Sequence, residues 1–104
     1  MKISQKINDL VLDNLIDCDT IYGNLILRTR NEGDKITLRK RRVTKSLKKL
    51  FIEEGIPASE RNQIPVLADE KGIVWVFGFG VNKRNALTEK SSNLILMRGE
   101  KNDL

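Results

Sequence analysis

Ten of the twenty-two residues between positions 28 and 49 are cationic, and only Glu32 and Asp34 oppose them. The segment carries a net +8, while the whole chain carries +5, so the remainder sums to −3. A fold built on this chain has to present that stretch at its surface. Charge concentrated in a fifth of the sequence and offset elsewhere predicts one face with a strong positive field. Phosphate is the commonest biological target of such a field.

The chain has 104 residues, enough for one domain with a single modest core. Its 39% apolar and 32% charged residues exclude a disordered tail. No apolar run approaches the roughly 18 residues of a membrane helix. The first fifteen residues lack the continuous apolar stretch and small-residue cleavage site of a secretion signal. These features predict a cytoplasmic protein without a membrane partner. There is no histidine and only one cysteine, Cys18. That excludes an intrachain disulfide, a His/Cys metal site and a histidine general base. Cys18 reads as structural.

Residues 3–15 place Ile3, Ile7, Leu10, Val11 and Leu15 at helical spacing. Gly23-Asn24 marks a turn, and residues 25–30 (LILRTR) read as a strand with Arg28 and Arg30 on one face. Residues 31–34 form a second turn and 35–38 a short strand. The clearest helix spans residues 44–54. Thr44 is its expected cap, Leu47, Leu50 and Phe51 form its apolar face, and Gly55 and Pro57 stop it. Lys45, Lys48 and Lys49 at its front and Glu53 and Glu54 at its back oppose the helix dipole, so the lysines look placed for an external anion.

Residues 57–62 suit a short helical turn. Residues 66–69 and 73–79 read as a hairpin, 82–92 as a polar loop and 93–98 as a last strand. The order of strands, helix and strands predicts an α+β fold, mainly an antiparallel sheet or sandwich with one well-defined helix and a short helical turn. Residues 1–20 are expected to be an N-terminal helix or linker, 21–99 the domain and 100–104 a tail.

No Walker loop is present, and Gly78-Phe79-Gly80 opens no apolar-periodic helix, so a nucleotide-cradling loop is not expected. Glycine there fits a bulge or a close backbone approach. The carboxylate pairs Glu53-Glu54 and Asp69-Glu70 read as solvated surface charge. The tract Arg39, Lys40, Arg41, Arg42 runs straight into a helix start, where free backbone N–H groups favour phosphate. Among the aromatic residues, Phe51 lies on the core face of the helix. Trp75, Phe77 and Phe79 are expected to share one buried strand face, which leaves only Tyr22 for base stacking. That pattern suits structured RNA read through backbone and shape.

The ordered set of R-x-R strand and GD turn, K-x-L-K-K-L-F helix, I-P-x-x-E-R turn, I-P-V-L strand and apolar strand around Trp75 spans residues 28–79. It resembles the C-terminal domain of bacterial tRNA(Ile)-lysidine synthetase. Residues 88–91 (TEKS) also fit. The resemblance implies a fold similar to a domain of the phenylalanyl-tRNA synthetase β chain, and a non-catalytic domain that docks the tRNA acceptor stem. In that family a separate N-terminal domain, with ATP, Mg²⁺ and lysine, converts the wobble cytidine to lysidine. Its S-G-G-x-D-S loop is absent here, so no cofactor is expected in this chain. Homodimerisation through the parent enzyme is compatible with the family.

Carried over by position, the contacts fall on Arg28, Arg30, Arg39, Lys40, Arg41, Arg42, Lys45, Lys48, Lys49 and Arg61. The family tends to carry a basic residue where this chain has Gly80, with Lys83 and Arg84 as the expected replacements. It also often has a glycine-containing loop where this chain has residues 41–44. The alternatives are a helix-turn-helix made of residues 44–54 and 58–63, and a general nucleic-acid-binding or assembly module unrelated to tRNA modification.

Overall fold

The computed structural model describes residues 5–99. Helix α1 (Gln5–Asp13) leads into β1 (Leu15–Asp17). Strands β2 (Ile26–Arg28), β3 (Lys35–Ile36) and β4 (Lys45–Ser46) precede the helices α2 (Leu47–Glu53) and α3 (Ala58–Arg61). Strands β5 (Val66–Asp69), β6 (Gly72–Val76), β7 (Gly80–Val81) and β8 (Leu94–Leu96) complete the fold. Every pairing is antiparallel, giving a four-stranded sheet β2-β5-β6-β7 and two-stranded ribbons β1-β8 and β3-β4. The fold is α+β, as the order of elements requires.

The central sheet is covered on both faces, and a bulge explains how. Leu67 pairs with Trp75 but Ala68 pairs with Ile73, so Val74 is the extra residue on β6. One face carries Val66, Ala68, Ile73 and Val76 against Ile36, Leu47, Leu50 and Phe51. The other carries Leu67, Val74 and Trp75 against Ile16, Val81 and Ala86. A regular strand would have sent Val74 and Trp75 to opposite faces.

The expected shared face of Trp75, Phe77 and Phe79 is therefore corrected. Strand β6 ends at Val76, and the chain reverses through Gly78 at φ 81°. Phe77 packs edge-on to Trp75 with ring centroids 6.1 Å apart, while Phe79 meets Phe51 on the other side at 5.4 Å. Gly80, at φ 120°, is the expected close approach, since a Cβ there would lie 3.1 Å from the Asp13 carbonyl oxygen.

The helix start moves by one half-turn. Ser46, not Thr44, is the N-cap, its Oγ accepting the Lys49 N–H at 3.1 Å. Lys45 and Ser46 pair with Ile36 and Lys35, which holds residues 45–46 extended until the Leu47 N–H reaches the Asp34 carbonyl at 2.9 Å. The Thr44 hydroxyl instead meets that of Thr37. The helix stops as expected. Gly55 takes φ 73°, its N–H reaches the Ile52 carbonyl, and the Ile56 N–H reaches that of Phe51 in a Schellman closure.

The N-terminal helix ends at Asp13, so its expected last turn near Leu15 is instead strand β1, opposite β8. Ile16 is fully buried, and the Asn14 Oδ1 accepts the Trp75 indole N–H at 3.0 Å. The expected loop 82–92 is also more ordered than its polarity suggests. Asn85 is completely buried and donates to the Thr20 hydroxyl at 2.9 Å, and the Ser91 hydroxyl donates to Asp17 at 2.7 Å.

Candidate nucleic-acid interface

The cations expected to form one platform are divided among three jobs. The first is internal bracing. The Arg28 guanidinium forks onto Asp34 at 2.7 and 3.2 Å. Burial works against ionisation of Asp34, yet Arg28, the Asn31 N–H and the charge of Arg30 prevail and hold its carboxyl below the ordinary range. Arg84 forks onto Asp69 at 2.8 and 3.1 Å. Burial likewise opposes ionisation there. It is outweighed by Arg84 and the N–H groups of Tyr22 and Lys71, and the Asp69 carboxyl is held down to about 2. Arg61 donates its Nε–H to the Ile56 carbonyl at 2.8 Å, tying α3 to the end of α2.

The second job is contact with α1. Arg39 donates to Asp13 at 2.9 Å and to Asp9 at 3.2 Å, and Lys40 meets Asp9 at 2.6 Å. The hydrogen bond from Lys40, with Arg39, lowers the Asp9 carboxyl pKa. These two members of the basic tract are tied to α1. The acids that take them lie some thirty residues upstream, and no local pattern announces the pairing.

The third group lies around α2. Lys45 bonds Glu53, which lowers the Glu53 carboxyl pKa, and Lys49 reaches the same carboxylate only at 4.0 Å. Arg41 stands 3.8 Å from Glu54. Exposed pairs at such distances contribute little and are easily exchanged for another anion. Arg42, Lys48 and Lys83 are exposed and take part in no ion pair among the described residues. The Lys83 N–H donates to the Thr37 carbonyl at 2.7 Å, so that turn borders the loop carrying Arg42.

Arg30 completes this group. Strand β2 ends at Arg28, and Arg30 leaves the sheet to line a cleft of about 240 Å³ with Glu32, Lys48 and Asn62. Its Nε–H is buried and has no acceptor. Asn62 is an addition that the charge pattern does not single out, because it reaches the cleft from the end of α3. Among the aromatic residues, Tyr22 is half exposed, as expected, and carries the Lys71 ammonium 4.3 Å above its ring. No helix of the described residues is long and apolar enough to cross a membrane.

Comparison with known proteins decides the family. The family described as the TilS substrate C-terminal domain matches residues 25–96. The chain belongs to that family. A tRNA(Ile)-lysidine synthase of Caldanaerobacter subterraneus subsp. tengcongensis is 36% identical over 78% of this chain and 17% of its own length. The corresponding protein of Clostridium tetani is 30% identical over 82% of this chain and 19% of its own length. A solved structure of a TilS C-terminal domain superposes with a TM-score of 0.64 at 29% identity, covering 82% of this chain and 70% of that one. The TilS C-terminal domain thus spans less than a fifth of these curated relatives. Its β5-β6 hairpin, α2 and basic loop all fall within the matched residues.

Proposed function

We propose that this TilS C-terminal domain is a non-catalytic tRNA-docking module of a cytoplasmic tRNA(Ile)-lysidine ligase. It grips the acceptor stem while a separate N-terminal domain, which holds ATP and Mg²⁺, modifies the anticodon. The observation that carries this reading is the convergence of Arg30 and Lys48 on one cleft with no acid bonded to either. Arg42 and Lys83 are likewise unpaired among the described residues, and Lys49 meets Glu53 only at 4.0 Å. The arginines bonded to Asp34, Asp69 and Asp13 shape that surface rather than touch RNA. The absence of a free aromatic platform beyond Tyr22 fits duplex backbone over single strands.

About four phosphates neutralised by Arg30, Arg42, Lys48 and Lys83 give a slope of log K against log salt near −3 to −4. Titration of tRNA(Ile) into the ¹⁵N-labelled chain should shift the amides of residues 30, 42, 48, 49 and 83 and leave those of residues 28, 39 and 84 nearly unmoved. A salt slope near zero, or shifts confined to the β1-β8 side, would overturn the proposal. The two-helix DNA reading is not favoured, because α3 has four residues and strands follow it directly.

A further inference from the structure

The cleft of Arg30, Glu32, Lys48 and Asn62 holds a carboxylate among cations that it does not neutralise. Glu32 is exposed and makes no ion pair or side-chain hydrogen bond among the described residues. Asp34, two residues on, takes the local arginine instead, through the fork with Arg28. The β-turn at residues 31–34 enforces this split. The Asp34 N–H reaches the Asn31 carbonyl at 3.1 Å and the Asn31 N–H reaches the Asp34 carboxylate at 2.7 Å, with Gly33 at φ 90°. The turn therefore presents Glu32 at its tip with both carboxylate oxygens open.

A site meant for phosphate alone gains nothing from an uncommitted acid. Phosphate and carboxylate repel each other, and one like charge in the site lowers anion affinity. The same acid has a use when the ligand carries a hydroxyl donor next to its phosphate. In an A-form backbone the ribose 2′-hydroxyl is that donor, and it is what separates RNA from DNA at a given position. A carboxylate accepts such a proton well, in a charge-assisted hydrogen bond.

We infer that this cleft seats one RNA phosphate together with its neighbouring ribose, and that Glu32 makes it the point at which the domain distinguishes RNA from DNA. Arg30, through its terminal NH₂ groups, and Lys48 take the phosphate oxygens. Glu32 accepts the 2′-hydroxyl, and the Asn62 side chain closes the far wall of the cleft. This inference rests on the RNA-docking role proposed above and adds a selectivity determinant to it.

The test is a two-by-two comparison. Wild-type chain and Glu32→Ala are each titrated, at one salt concentration, with an RNA hairpin of the tRNA(Ile) acceptor stem and with its all-deoxy counterpart. Removing an acid strengthens attraction to both ligands, so the diagnostic quantity is the change in the RNA-to-DNA affinity ratio. That ratio should fall about three- to tenfold in Glu32→Ala, the loss of one solvent-exposed hydrogen bond. Glu32→Gln, which keeps an acceptor oxygen, should retain most of it. An unchanged ratio in Glu32→Ala overturns the inference while leaving RNA docking intact. Lys48→Ala reports on the broader reading, since it should weaken both ligands and leave the ratio unmoved. If it weakens neither ligand, the docking proposal itself fails.

Discussion

Asp69 is the side chain on which the hairpin depends most, and replacing it by Asn gives a quantitative test. Its carboxylate accepts the backbone N–H groups of Tyr22, Lys71 and Gly72 and both arms of the Arg84 guanidinium. It thereby joins the β5-β6 turn, the segment before β2 and the turn after β7. The carboxyl is lowered from 3.8 to about 2, which is worth on the order of 2 kcal/mol when the group is charged. In Asp69→Asn the amide can still accept from Lys71 and Gly72. Its NH₂ then faces donors on Tyr22 and Arg84, and Arg84 loses its counter-ion. We expect about 3 kcal/mol of destabilisation at neutral pH, or roughly 10–20 °C in Tm for a chain of this size.

The pH dependence gives the sign. The folded pKa lies below the unfolded one, so the wild-type advantage is complete above the unfolded value and is lost as pH falls through about 2. Urea unfolding followed by the emission of Trp75, which is 3% exposed, reads the difference directly. At about pH 2.5 the charge-dependent part of the gap should shrink below about 1 kcal/mol. A gap under about 1 kcal/mol near pH 7, or one equal at both pH values, would refute the assignment of Asp69 as a charged clamp.

Other outcomes are equally specific. Arg39→Ala should cost about 1 kcal/mol by releasing the basic loop from Asp9 and Asp13 of α1, while changing the RNA salt slope by much less than Lys48→Ala does. Ser46→Ala should cost about 1 kcal/mol in urea unfolding, whereas Thr44→Ala should cost less, since Ser46 is the cap. Gly80→Ala should destabilise by about 1–3 kcal/mol, because φ 120° and the Asp13 carbonyl at 3.1 Å both resist a side chain. Gly80→Lys, which adds a cation beside the basic surface, should for the same reason fail to improve RNA binding in fluorescence anisotropy.

The elements that followed from sequence alone are those governed by local chemistry. The stop at Gly55 needs only a residue that tolerates positive φ, and the burial of Leu47, Leu50 and Phe51 needs only helical spacing. The hairpin at residues 66–76 is marked by its apolar strands and the turn between them. The cap at Ser46 was missed because β3-β4 pairing overrides the local preference for Thr44. The split of Phe77 from Phe79 was missed because one bulged residue and one glycine turn change the period. A bulge depends on what the partner strand demands, and no single strand encodes that.

The charge tells the same story at the level of function. Sequence by itself established that this chain carries a dense cationic segment on an α+β frame, because counting charges and apolar periods requires no partner. Only the folded molecule decided which of those cations remain available. Arg28, Arg39 and Arg84 are committed to acids 6, 26 and 15 residues away, whereas Arg30 and Lys48 meet in a cleft where no acid bonds either of them. Electrostatic pairing acts through space over a few ångströms, so its outcome belongs to the tertiary packing and not to the order of residues along the chain.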